Sequence, residues 1–451
     1  MKNTISFFIL VALSSLCTAQ TIISRDPEIT KMTDMISADR IEQHVRKLVS
    51  FHTRHNLSVQ DNPSQGIGAA WNWIKAEMEA SIPQSGGRLE VKFEDYTVGG
   101  KGQRISEPVR LKNVIATLKG TDQADDRIIV VSAHLDSRAL LDNDNTSYAP
   151  GANDDGSGIA AILEMVRIMS SRKFPATIVF MAVSGEEHGL YGSEHMAEKA
   201  KAENWNIIAM LNNDMIGNSG SSETLLNDNM RVRVFSEGVP AYETEQMAAL
   251  RKFTSGENDS RARQLARYIK ETGERYIDQL DVTLVFRNDR FGRGGDHSPF
   301  CKRGFTAVRI CEFNENYDRT HKVPGIENGI EIGDLPEHVD YAYVRKNAGI
   351  NLASIANLAN APYEPANCVI ITGGLTNKTT LRWETPSKGV KPSGYYIMMR
   401  ETFQPLWEKK ILVTGNEVTL PYSKDNYFFA IQSVDAAGHE SLAVFPGQSR
   451  K

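Results

Sequence analysis

The chain is poor in cysteine, with four in 451 residues, at positions 17, 301, 311 and 368. None is spaced as CxxC, and so few thiols argue against both a disulfide-stapled scaffold and a thiolate metal site. It also lacks a strong excess of either charge: 51 Lys and Arg stand against 56 Asp and Glu, a formal net charge of −5. That balance carries no footprint for a phosphate backbone, so no nucleic-acid partner is expected. No uninterrupted apolar run approaches the ~18 residues of a membrane-spanning helix, so no transmembrane segment is expected. Histidine is scarce too, at ten. Any metal must be held by a few histidines together with carboxylates.

What is present is enough apolar residue, 41%, to bury a sizeable core. At ~150 residues per domain the length corresponds to about three domains. Lys2, the short apolar run Ile5 to Leu13 and the small residues up to Ala19 read as a signal peptide over residues 1–19, and the mature protein is expected to be exported, periplasmic or secreted. Residues 20–36 form an N-terminal extension. Loss of Cys17 leaves Cys301 and Cys311 close enough in sequence to bridge in an oxidising compartment.

Residues 37–361 alternate helical and strand patterns. Ile41, Val45, Leu48 and Val49, then Ile67, Ala70, Trp71, Ile74 and Met78, recur at helical spacing. Apolar β-branched runs at 128–131, 177–183, 207–211, 282–286 and 306–310 predict buried strands covered by helices on both faces. The fold class is therefore α/β, with a mostly parallel or mixed central sheet flanked by helices. After the prolines of the 360–366 segment the pattern changes to short strands alone, and residues 366–451 read as a small all-β sandwich. Its Trp383 and Tyr427 strands and the Asp435–Ser441 segment resemble a fibronectin type III module, which implies spacing or binding of an unknown surface, glycan or protein ligand.

In an α/β sheet, function gathers beyond the carboxyl ends of the strands. Ala133-His-Leu-Asp-Ser137, Ser184-Gly-Glu-Glu-His188, Asn212-Asn-Asp-Met-Ile216 and Gly295-Asp-His-Ser-Pro299 each follow a predicted strand, and Pro150 to Gly158 opens a buried helix with two acids. This set of imidazoles and carboxylates suits a pair of zinc ions that share one carboxylate and one water. The donors on offer are His134, His297, Asp154, Glu187 and Asp214, with one acid of the Glu186–Glu187 pair spare for general-base work.

These motifs, in this order, resemble those of the co-catalytic zinc aminopeptidases of the leucyl aminopeptidase and glutamate carboxypeptidase kind, over roughly residues 37–360. The resemblance implies a zinc exopeptidase fold with two Zn2+ per chain. It places His134 and Asp214 on one ion, Glu187 and His297 on the other, and Asp154 between them. It further implies Glu186 as general base, Asp136 as the carboxylate that orients His134, and a cis peptide bond between Asp154 and Asp155. The activity it implies is removal of amino-terminal residues from peptide substrates by a zinc-bridging hydroxide. Where several relatives carry a Tyr before the last His ligand this chain has Asp296, with Tyr317 as a substitute. His321 stands as a residue of the site rim, and His188 and His195 as structural. Three other readings stand beside this one. A carboxypeptidase would use Arg287, Arg290 and Arg293 to hold a terminal carboxylate, a glutaminyl cyclase would use one zinc, and a metal-dead binding module would use none.

Overall fold

The computed structural model describes residue 23 and residues 25–450. The expected signal peptide and Cys17 lie outside the described residues. Helix α1 (Pro27–Asp34) starts on Pro27 behind an Asp26 cap and buries Ile29 and Met32. This part of the N-terminal extension is thus packed into the core. Helices α2 (Ala38–Val49) and α3 (Gly66–Glu79) follow, the first capped by Ser37 and each burying the apolar stripe its spacing predicts.

The central sheet has eight strands: β1 (Leu89–Val98), β2 (Val109–Leu118), β3 (Arg127–His134), β4 (Thr177–Val183), β5 (Asn206–Asn213), β6 (Arg231–Phe235), β7 (Asp281–Val285) and β8 (Ala307–Glu312). Their order is β1-β2-β4-β3-β5-β8-β6-β7. The middle of the sheet, β4, β3, β5 and β8, is parallel, and antiparallel pairings of β1 with β2, β2 with β4 and β6 with β8 make the whole mixed. The β1–β2 hairpin was not expected: β1 alternates polar and apolar residues on a half-exposed edge and carries no continuous apolar run. Helices α4 (Gly156–Met169), α5 (Tyr191–Ala202), α6 (Glu245–Thr254), α7 (Arg261–Tyr276), α8 (His297–Lys302) and α9 (Tyr341–Asn360) complete this part. Both α4 and α9 are buried almost all round, as their lack of a polar face requires.

A short hairpin of β9 (Gly325–Glu327) and β10 (Ile330–Ile332) precedes α9. Beyond it, β11 (Ala366–Ile371), β12 (Thr379–Glu384), β13 (Gly394–Glu401), β14 (Lys409–Val413), β15 (Glu417–Leu420), β16 (Tyr427–Val434) and β17 (Gly447–Ser449) form two sheets, β15-β12-β11-β17 and β14-β13-β16. They close on a core that includes Leu381, Trp383, Tyr395, Ile397 and Phe429. Buried ions tie these sheets to the rest: Asp259 accepts from Arg267 (3.0 Å) and Arg400 (2.7 Å), and Glu440 accepts from Arg275 (2.7 Å). Cys301 and Cys311 are not bridged; both are free, buried thiols. The first faces the Ala307 carbonyl and the second lies 3.4 Å from Arg233 Nη2.

Candidate metal centre

The parallel registers of β3 with β4 and β5, and of β5 with β8, bring the carboxyl ends of these four strands to one edge. His134 is the last residue of β3, and Glu186–Glu187 and Asp214 follow β4 and β5 directly. Asp154 comes from the loop before α4, where Asp155 caps the helix by accepting from Gly158 N at 3.1 Å. The Asp154–Asp155 peptide bond is cis. Asp155 also accepts from the backbone of His134 (3.1 Å) and Met215 (3.2 Å), so one buried carboxylate ties α4 to the ends of β3 and β5.

Two donor clusters result. His134, Asp154 and Asp214 form one, and Asp154, Glu187 and His321 the other. Asp154 belongs to both through different oxygens, Oδ1 lying 3.0 Å from His134 Nε2 and Oδ2 lying 3.0 Å from His321 Nε2. His134 Nε2 is 4.0 Å from Asp214 Oδ1, and His321 Nε2 is 2.8 Å from Glu187 Oε1. His134 Nε2, Glu187 Oε1 and His321 Nε2 are buried, and although these contacts are short, none is aligned as a hydrogen bond among the described residues. Buried polar atoms are rarely left so. Imidazole nitrogens and carboxylate oxygens converging without hydrogen bonds are what a divalent cation requires, so the residues fit zinc.

His297, expected as a ligand, is in neither of the two donor clusters found among the described residues. Its Nε2 is 2.8 Å from the Asn288 carbonyl and 3.9 Å from Asp289 Oδ2. Between it and Asp214 stands Arg309, fully buried, which donates to Asp214 Oδ1 (2.8 Å) and to Asp289 (3.0 Å). The imidazole that completes the second cluster is His321, from the loop after β8. The sequence left this residue at the site rim, although β8 is a central strand whose carboxyl end opens on the same edge. Tyr317 is 57% exposed and is not among the residues lining the pocket. Asp296 is buried, and that burial pushes its carboxyl up to about 7.

Asp136 acts on more than His134. His134 Nδ1 lies 3.1 Å from the Asp136 carbonyl oxygen and 3.7 Å from its carboxylate. The carboxylate accepts from Asn56 Nδ2 (2.7 Å) and from the backbone N–H groups of Glu187 (3.2 Å) and Glu186 (3.4 Å). A single buried acid therefore sets the first histidine and the glutamate pair together. Asp334 plays the corresponding part for the shared acid, accepting from Asp154 N at 2.8 Å and from Asn153 N at 2.9 Å. His188 is structural, contacting Asn56 and the Asp142 carbonyl, and His195 stacks on Tyr96.

Both clusters open into one cavity of about 390 Å³ lined by Asp154, Glu186, Glu187, Asp214 and His321. Glu186 makes no ion pair among the described residues, and burial pushes its carboxyl well above the usual carboxylate range. A carboxyl beside a metal cluster and free of ion pairs is suited to taking and returning a proton.

Residues 113–331 match the sequence profile of Peptidase family M28. A probable zinc metalloprotease of Leptosphaeria maculans is 42% identical over 422 residues, covering 93% of this chain and 97% of that protein. A probable zinc metalloprotease of Pyricularia oryzae is also 42% identical, over 93% of this chain and 84% of its own length. Among solved structures, the LapA aminopeptidase of Legionella pneumophila superposes with a TM-score of 0.53 at 20% identity, covering 75% of this chain and 76% of that one.

Proposed function

This chain belongs to peptidase family M28 and is a zinc metallopeptidase, and we propose that it is an exported aminopeptidase with two zinc ions per chain. The observation that carries this reading is the single carboxylate, Asp154, presenting one oxygen to each of two donor clusters. On this reading His134 and Asp214 hold one ion, Glu187 and His321 the other, and Asp154 both. Bound zinc supplies Lewis acidity, lowering the pKa of water and polarising a carbonyl. Glu186 takes the proton of the attacking water and returns it to the leaving amine. Asp136 anchors the backbone of Glu186 and Glu187 by accepting from both amides. Glu186, which lines the cavity, holds no ion on this reading and has no ion pair among the described residues, suits a substrate's free ammonium, which favours an aminopeptidase over an endopeptidase. Export rests on the signal-like residues 1–19. For residues 366–451 the likeness to fibronectin type III supports a spacing or binding role.

The arginines of the same cavity favour a second reading, a carboxypeptidase. One experiment tests both. Purified protein is assayed for zinc and for hydrolysis of aminoacyl and peptide substrates with free or acetylated amino termini. The aminopeptidase reading expects two zinc ions and activity only on free amino termini, whereas cleavage of acetylated substrates supports the carboxypeptidase. Glu186→Gln is expected to keep zinc while turnover falls by about 10²–10⁴, the usual worth of a general base. Full activity of that variant refutes the assigned role.

A further inference from the structure

Besides its acids, the catalytic cavity is lined by four arginines: Arg104, Arg138, Arg290 and Arg293. Three are already engaged. Arg104 and Arg138 share Asp142 at 2.5 Å each, and Arg138 also lies 3.1 Å from Glu187. Arg290 is 2.6 Å from Glu315 and 3.3 Å from Asp289, both of which serve other arginines as well: Glu315 that of position 233, Asp289 that of position 309. Arg293 makes no side-chain hydrogen bond or ion pair among the described residues. It sits exposed between Gly292 and Gly294, in a turn closed by its own N–H on the Arg290 carbonyl at 3.2 Å.

The charge balance of the cavity then has a direction. On the proposed function, two divalent ions offset Asp154, Glu187 and Asp214, the acids that would hold them. Three of the wall's four arginines have acids to answer them, Arg104 and Arg138 through Asp142, Arg138 also through Glu187, and Arg290 through Glu315 and Asp289. Arg293 is left with no acid at all. An arginine with a free planar fork on the wall of that cavity is suited to hold a carboxylate by donating two parallel hydrogen bonds.

We propose that Arg293 is a specificity-determining residue that holds a carboxylate of the substrate, so that the peptidase selects substrates carrying a negative charge close to the scissile bond. This rests on the peptidase reading above and adds the substrate class to it. The carboxylate has two sources, an acidic side chain at the amino terminus or the free carboxyl terminus of a very short peptide.

The test compares kcat/KM of the zinc-loaded wild type, Arg293→Ala and Arg293→Lys on two matched pairs. One pair is glutamyl and glutaminyl p-nitroanilide, and the other is Leu-Ala and Leu-Ala amide. The wild type is expected to favour the carboxylate-bearing member of at least one pair by tenfold or more, and the pair that responds identifies the source. Arg293→Ala is expected to erase that ratio, chiefly through KM, and Arg293→Lys to restore part of it. A merely structural role would lower both members alike and leave the ratio in place. No preference in either pair, or a ratio unchanged by Arg293→Ala, overturns the inference while leaving the peptidase reading intact. Absence of hydrolysis of all four substrates overturns the aminopeptidase reading and the inference with it.

Discussion

Replacing His321 by Ala separates the proposed second metal ligand from the one the motif order implied. His321 Nε2 is one of three donors of its cluster, 3.0 Å from Asp154 and 2.8 Å from Glu187. Removing even an outer partner of a metal ligand typically costs 10–100-fold in affinity. Removing a donor itself costs more, so ~100-fold is a floor. At ~1.4 kcal/mol per tenfold this is about 2.8 kcal/mol. The same amount of zinc-linked stability disappears at a fixed free zinc concentration well above the dissociation constant. His297 predicts the opposite. Its contacts are the Asn288 carbonyl and the Asp289 carboxylate, and losing one such hydrogen bond costs about 1 kcal/mol of folding stability with no change in zinc content.

The assay is equilibrium dialysis against buffered zinc, with metal content read by atomic spectroscopy and thermal unfolding recorded with and without zinc. Wild type and His297→Ala are expected to hold two ions per chain, and His321→Ala one. Zinc should raise the unfolding midpoint of His321→Ala less than that of the other two proteins. Two ions in His321→Ala together with one in His297→Ala would refute the reasoning outright.

Asp334→Ala removes the acceptor for Asn153 N and Asp154 N and is expected to weaken zinc binding by about 10–100-fold, read by competition with a chromophoric chelator. Asp259→Ala leaves Arg267 and Arg400, both nearly inaccessible to solvent, without their carboxylate, and should cost about 3–5 kcal/mol in urea unfolding. Burial pushes the pKa of His44 down to about 4, from an ordinary value near 6.5. Between those values the unfolded chain takes up a proton that the folded chain refuses, so this part of the stability is complete above pH 6.5 and drains away as pH falls towards 4. His44→Gln is expected to flatten the dependence by up to ~1.4 kcal/mol per pH unit in that window, and an unaltered slope counts against the account.

The parts of the fold legible in the sequence are those where one physical demand governs a whole segment. Strands β3, β4 and β5 are covered on both faces, so they read as unbroken apolar runs, and α4 is apolar all round for the same reason. The β1–β2 hairpin answers to no such demand. It lies at an edge where polar and apolar residues mix, and its existence depends on the pairing of β2 with β4. Five of the residues that line or form the two clusters, His134, Asp154, Glu186, Glu187 and Asp214, sit within a few residues of an element terminus, where sequence position nearly determines spatial position.

The sixth, His321, is reached by a loop, and a loop's course is set by partners that sequence distance hides. Arg138 Nη2 lies 3.3 Å from His321 Nδ1, across 183 positions, and the Asp334 carboxylate holds the neighbouring Asp154 backbone from the far side of the hairpin β9–β10. His297, by contrast, has the motif but follows β7, the last strand of the sheet. What decides between the two histidines is the buried guanidinium of Arg309. It neutralises Asp214 and Asp289 at once and so stands between His297 and the clusters. For His297 to act as a ligand, that cation would have to leave, and two buried carboxylates would lose their partner. Turning the ring of His297 toward the metals would therefore cost several kcal/mol before any metal bond formed. The ring of His321 already meets both carboxylates of its cluster.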